Sequence, residues 1–487
     1  MITRRKLLAG GIGAAGLAAV AACTPDNTQA TVTPTGSQVA AAEAARKPGT
    51  VRQVGLAPAA SEVDLGGTVV STWTYGGRLP GRPIRVTAGE QVKAVVLNRL
   101  PADTSIHWHG VALRNDADGV PHVTQDPIPI GGQYTYQFTA ANPGTYWFHP
   151  HTGVQLDRGL YAPLIVDDPH EPLAYDDEWI VVLDDWLDGI SGSPDDMFAE
   201  LRKGMGGMMG GGHMMGANTS ALLGGDAGDV TYPHYLINGR LPADPDVHTG
   251  KPGQKVRIRL INAGSDTAFR VAITGHRMTV THTDGYPITP VDTDALLIGM
   301  GERYDVLVTL GDGVFALVAL AEGKNASGYA LIRTGFGTPP PAGARPAELD
   351  RRIVAYRHMK ADGRVALADR NTERTLRLEL TGGMMRYDWR FDGKAFDHAR
   401  VDHVITAGER VRIQYVNTTM MWHPVHLHGH TFAVGDAIGP RKDTAIVLPG
   451  QTLTTLFDAD NPGRWMIHCH NAYHAEAGMM ALLGYRS

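Results

Sequence analysis

GERVRIQYVN, residues 408–417, alternates apolar and polar side chains between a glycine and an asparagine. A period of two, enriched in β-branched residues, marks a half-buried β-strand bounded by turns. The stretch recurs as GEQVKAVVLN at 89–98 and as GQKVRIRLIN at 253–262. Such recurrence divides a chain into copies of one structural unit. The first and third copies keep a constant offset of 319 positions, obeyed by Gly89 and Gly408, Asn98 and Asn417, and Phe138 and Phe457. The same offset carries IHWHG (106–110) onto VHLHG (425–429), and NPGTYWFHPH (142–151) onto NPGRWMIHCH (461–470). The middle copy is looser: Val271 and Ile273 stand where the first copy has His107 and His109.

A chain of 487 residues exceeds one ordinary core. Short alternating strands among 59 glycines and 30 prolines imply an all-β protein of Greek-key sandwiches or barrels. The domains are expected at 52–168, 175–340 and 350–487, with FGTPPPAGARP (336–346) as the linker between the last two. A net charge of -6 argues against nucleic acid as a partner. Residues 1–23 begin with Arg4-Arg5, continue through an apolar run from Leu7 to Ala22 and end at Cys23. The run is short for a membrane span, so it reads as an export signal of the twin-arginine (Tat) type. Its last four residues, Val20 to Cys23, resemble a lipobox, which makes Cys23 the expected lipid anchor. Cleavage near Ala22 without a lipid is the alternative. Residues 24–51 are polar and proline-containing, the composition of a flexible tether.

His-x-His occurs four times: His107/His109, His149/His151, His426/His428 and His468/His470. On a strand, residues two apart share a face. One such pair is weak evidence, but four at matching places in two duplicated units point to a multinuclear transition-metal centre where those units meet.

With Cys23 at the signal boundary, Cys469 has no disulfide partner. A lone cysteine is a reactive thiol, a metal ligand or a small buried hydrophobe. Its neighbours decide. In His468-Cys469-His470 alternation sends the sulfur away from both imidazoles. His423 and His474 offer nitrogens to a separate site and Met479 a weak axial sulfur, the ligand set of a blue-copper electron-transfer site. The positions equivalent to Cys469, His423, His474 and Met479 in the first unit are Pro150, Thr104, Gln155 and Leu160, so one such site is expected and not two.

These motifs, HWHG, HPH, HPVHLHGH and HCHNAYHAEAGMM, resemble those of the three-domain multicopper oxidases, the laccase and cuprous-oxidase family. The resemblance covers nearly the whole chain after the tether, strongly at its two ends. It implies three cupredoxin-like domains and four copper ions, with O2 reduced to water. It implies type 1 ligands at His423, Cys469, His474 and Met479, and type 2 ligands at His107 and His426. His109, His149, His151, His428, His468 and His470 fall to the type 3 pair. It also implies proton-handling roles for Asp118, in NDADG, and for Glu476, which here stands one residue later than the family pattern.

The electron donor is read from MFAELRKGMGGMMGGGHMMGA (197–217). Met205, Met208, Met209, Met214 and Met215, with His213, lie among glycines too numerous for a helix or strand. Thioethers are soft ligands suited to Cu(I). Asp397, in GGMMRYDWRFDGKAFD with Met384 and Met385, resembles an acid that helps hold substrate copper in cuprous oxidases. The expectation is an exported, membrane-tethered oxidase of Cu(I), able also to oxidise phenols and diamines. A laccase-like phenol or pigment oxidase is the rival enzyme, and a copper-storage or electron-carrier protein the non-catalytic one.

Overall fold

The computed structural model describes residues 30–204 and 218–487. In each unit the repeated stretch occupies the same place in a sheet. Gln91–Leu97, Lys255–Asn262 and Arg410–Asn417 pair in parallel with Val51–Leu56, Asp177–Trp186 and Arg374–Thr381 respectively. On their other edges they pair antiparallel with Gln133–Thr139, Arg303–Thr309 and Thr452–Asp458. A parallel junction cannot be closed by a hairpin and needs a crossover. Its presence in all three units shows that the middle unit shares the topology of the others.

The asparagine that ends each repeat has a structural task. Asn98, Asn262 and Asn417 are buried, and each donates from Nδ2 to a backbone carbonyl on a neighbouring segment: Ile128 (2.9 Å), Ile298 (3.0 Å) and Val447 (3.1 Å). Each also accepts at Oδ1, 2.9 Å from the N–H two residues on. The amide thus closes the turn after the strand and satisfies backbone groups that burial would otherwise strand. The glycine that opens each repeat is also explained: Gly89, Gly253 and Gly408 have φ of 90°, 82° and 88°. A Cβ there would touch nothing, so the left-handed backbone, and not crowding, requires glycine.

The middle and third units each set a six-stranded sheet against a five-stranded one, while the first has sheets of four, three and two strands. Trp108, Tyr136, Phe138 and Phe148 fill the first core. A continuous apolar core runs through the other two. Trp147, Trp186, Leu236 and Ala472 form a seam where the three units meet. Val271 and Ile273, on strand Phe269–Ile273, are core residues.

The expected tether at 24–51 is corrected over its described part. Thr31 bridges to Arg486, Val32 is buried, and Ser37–Ala45 forms a helix. The buried Glu43 carboxylate accepts from the N–H and Oγ1 of Thr139 (2.8 and 2.7 Å), and Arg46 donates to Asn461 (2.9 Å). An alanine-rich run has high helix propensity. Val32, Val39 and Glu43 then anchor it across the first and third units, which a reading by composition does not register. The expected signal and Cys23 lie outside the described residues.

Candidate metal centre

Strands His107–His109 and Gly144–His149 are antiparallel neighbours with His107 opposite His149. In the third unit His423–Leu427 and Arg464–Cys469 repeat the arrangement, with His426 opposite His468. Alternation sends Trp108 into the first core and the flanking imidazoles out together. The end units meet across these faces, so the eight histidines gather in one place.

The pairs do not each serve one point. Ligand atoms of His109, His149 and His470 lie within 4.8 Å of one another, as do those of His151, His428 and His468. Each His-x-His thus divides between groups, and each triad draws on both end units. Nε2 of His107 and of His426 face each other at 3.4 Å.

Hydrogen bonds set which nitrogen is free. Nδ1–H donates to a backbone carbonyl from His107 (Asp118, 2.9 Å), His149 (Pro150, 2.8 Å), His426 (Asp443, 2.9 Å) and His468 (Cys469, 2.8 Å). His428 donates Nδ1–H to the Asp118 carboxylate (3.0 Å). The Nε2 atoms of His149, His428 and His468 are buried and have no hydrogen-bond partner among the described residues. Buried lone pairs of this kind are costly unless a cation takes them. Burial and the neighbouring imidazoles hold His109, His149, His428, His468 and His470 well below the usual histidine range, and His151 at about 3. These rings are therefore neutral at pH 7, the form that ligates metal.

The Cys469 sulfur lies elsewhere, 3.6 Å from His423 Nδ1 and 3.7 Å from His474 Nδ1, which are 3.1 Å apart. The outer nitrogens are tied back: His423 Nε2 donates to Thr419 (2.9 Å) and His474 Nε2 to Asp229 (2.9 Å). Burial presses against a charge on His474, but the Asp229 carboxylate and the Cys469 sulfur outweigh it and lift the pKa to about 10. The buried Met479 returns its carbonyl to the Cys469 N–H (3.1 Å), and the Trp389 ring packs 4.3 Å from that of His474.

Asp118 is buried, bonded to His428 and 3.2 Å from His107 Nδ1. Glu476 is exposed at the mouth of a cleft of about 110 Å³ lined by His149, His151, His468 and His470. Protein crowding at that mouth raises its pKa although solvent still reaches the side chain. Asp397 is exposed, accepts from the Ala399 N–H (2.9 Å), and joins none of the histidine groups. Met205, Met208, Met209, His213, Met214 and Met215 lie outside the described residues.

Sequence reasoning missed Asp443, Arg303 and Asp229. Asp443 is fully buried, accepts from His109 Nε2 (3.0 Å) and takes two bonds from Arg303 (2.7 and 2.6 Å). In RKDTAIVLPG two adjacent opposite charges read as a turn before a strand, and nothing local announces burial. Asp229 and Arg303 come from the middle unit, which has no His-x-His pair to draw attention to them.

Family models described as multicopper oxidase match residues 59–171, 178–336 and 369–486. The chain is 49% identical to multicopper oxidase MmcO of Mycobacterium tuberculosis, over 99% of this chain and 96% of that protein. It is 31% identical to the copper resistance protein A homolog of Pseudomonas syringae pv. tomato, over 86% of this chain and 90% of that one. The L499M mutant of the laccase from B. aclada is similar in structure, with a TM-score of 0.75 at 26% identity over 90% of this chain and 88% of that one. The chain belongs to the multicopper oxidase family. It is an oxidoreductase with three cupredoxin-like domains, copper as cofactor and O2 as electron acceptor.

Proposed function

We propose that the protein oxidises Cu(I) to Cu(II) at the Cys469 group and reduces O2 at the eight-histidine group. Four Cu(I) ions give up one electron each, and O2 with four protons becomes two waters. The observation that carries this reading is the split tripeptide: the Cys469 sulfur joins one group and its two neighbouring imidazoles join the other, so a few covalent bonds connect them. His423, Cys469, His474 and Met479 would hold the type 1 copper, and His107 with His426 the type 2 copper. The triads His109/His149/His470 and His151/His428/His468 would hold the type 3 pair.

Copper in these groups supplies reversible one-electron chemistry. The chain's own residues do the rest. Carbonyl and carboxylate acceptors fix the imidazole rings before metal arrives. Asp118 holds His428 and lies against His107, close enough to relay protons to the centre. Glu476, which lines the cleft beside the histidines, would pass protons inward.

Cu(I) is favoured as donor by the methionine-rich sequence at 205–215, whose soft thioethers suit that ion. Asp229 bonds both His474 and Tyr387 (2.9 and 2.7 Å). Phenol oxidation is the second reading, because Asp229 at His474 Nε2 could accept a phenolic proton. Deleting residues 204–216 should lower Cu(I) turnover and spare phenol turnover, both measured by oxygen uptake. Unchanged Cu(I) turnover would favour the phenol reading.

Export through residues 1–23, with lipid on Cys23, would place this activity at the outer face of a membrane. Mass spectrometry of the mature N-terminus tests it: an unmodified start after Ala22 argues against the anchor.

A further inference from the structure

We propose that Arg303, in the middle domain, is a positioning residue for O2 reduction: it fixes Asp443, and Asp443 turns the His109 ring so that Nδ1 faces His149 and His470. This rests on the copper reading above.

The duplication makes His109 and His428 equivalent, yet the two rings are used differently. His428 gives its Nδ1–H to Asp118 and keeps Nε2 free of protein partners. His109 does the reverse. Its Nε2–H points to Asp443 Oδ1 (3.0 Å) and Thr444 Oγ1 (3.1 Å), which leaves Nδ1 3.2 Å from His470 Nε2. Which imidazole nitrogen is offered to a metal is set by what the other one bonds. Here the two acids play matching parts: the backbone carbonyls of Asp118 and Asp443 accept from the equivalent His107 and His426, and their carboxylates hold His428 and His109 of the opposite domain, but through Nδ1 in the first case and Nε2 in the second.

Asp443 does not hold its place alone. Arg303 grips both of its oxygens, and is itself fixed by the carbonyls of Thr145 (3.1 Å) and Gly301 (3.0 Å). Asp284 accepts the N–H groups of Asp443 and Thr444 (3.0 and 3.1 Å), and Lys442 bridges Asp284 and Glu302 (3.1 and 3.0 Å). All of these side chains are buried. A rigid guanidinium fork can set a carboxylate's plane as well as its charge, which a lysine cannot.

The test uses the full-length, copper-loaded chain with Arg303→Gln, Arg303→Lys and Asp443→Asn. Copper per chain, visible absorption, electron paramagnetic resonance and steady-state O2 uptake are measured. In Arg303→Gln the visible band of the Cys469 group should persist. The rate kcat should fall about ten- to a hundredfold, the range usual for loss of a partner behind a metal ligand, with KM for the donor unchanged. Copper at the eight-histidine group should fall, or its resonance signal should change. Arg303→Lys should lie between. Wild-type copper content, resonance signal and kcat in Arg303→Gln would overturn the proposal. If a single change unfolds the chain, Arg303→Gln/Asp443→Asn, which leaves no lone buried charge, is judged by the same signals. A wild-type chain that binds copper but takes up no O2 would instead refute the underlying functional reading.

Discussion

Gly110→Ala should damage the protein far more than Gly89→Ala, although both glycines lie in the left-handed region with φ of 84° and 90°. A non-glycine residue there costs about 1–2 kcal/mol. At Gly89 nothing lies within 4 Å of an added Cβ, so that conformational term is the whole effect. At Gly110 the Cβ would sit 2.3 Å from Arg303 Nη2 and 2.6 Å from Asp443 Oδ2. Neither side chain can withdraw, because both are fully buried and bonded to each other. Disrupting a buried ion pair costs about 3–5 kcal/mol, which brings Gly110→Ala to about 4–7 kcal/mol when the conformational term is added. In urea, with a slope of about 3 kcal/mol per M, the midpoint of the metal-free protein should drop by about 1–2 M for Gly110→Ala and about 0.5 M for Gly89→Ala. Tryptophan fluorescence reads both. Equal shifts for the two variants would refute the claim that the ion pair, and not the turn, makes the HWHG glycine irreplaceable.

Cys469→Ser should abolish visible absorption and donor oxidation together while the eight-histidine group still takes up copper, as elemental analysis would show. Asp118→Asn keeps the shape of a side chain that bonds His428 but removes its charge. O2 uptake should fall about ten- to a hundredfold with the visible band intact, and an unchanged rate would exclude Asp118 from the chemistry. Acid should destabilise the metal-free protein through its buried imidazoles. Their folded pKa values lie below the unfolded value of about 6.5, so below that pH the unfolded chain binds more protons. Through these rings stability should fall steadily as pH drops below about 6.5, with His151 contributing down to about 3, whereas His474, held at about 10, loses its stabilising contribution as pH rises from about 6.5 toward that value. Urea midpoints between pH 8 and 5 check this, and a flat profile would contradict it.

The repeat, its strand period and the direction of each motif side chain follow from local sequence, because alternation along an extended backbone is a property of neighbours. This is why the separation of Cys469 from His468 and His470 is legible in the sequence alone, as is the absence of ligands at Val271 and Ile273. The glycine and asparagine that frame each repeat are visible there too, although their reasons, a left-handed turn and a buried amide bridging to a neighbouring segment, belong to the fold. What only the tertiary structure decides is how the pairs are shared out. His149 and His151 are two residues apart yet serve different triads, because each triad is completed by the other end domain. Nor can sequence reveal that Asp229 and Arg303 of the middle domain stand behind His474 and His109. Their charges carry no periodic or spacing signal, and only the packing of three domains takes them out of water and aims them at a histidine.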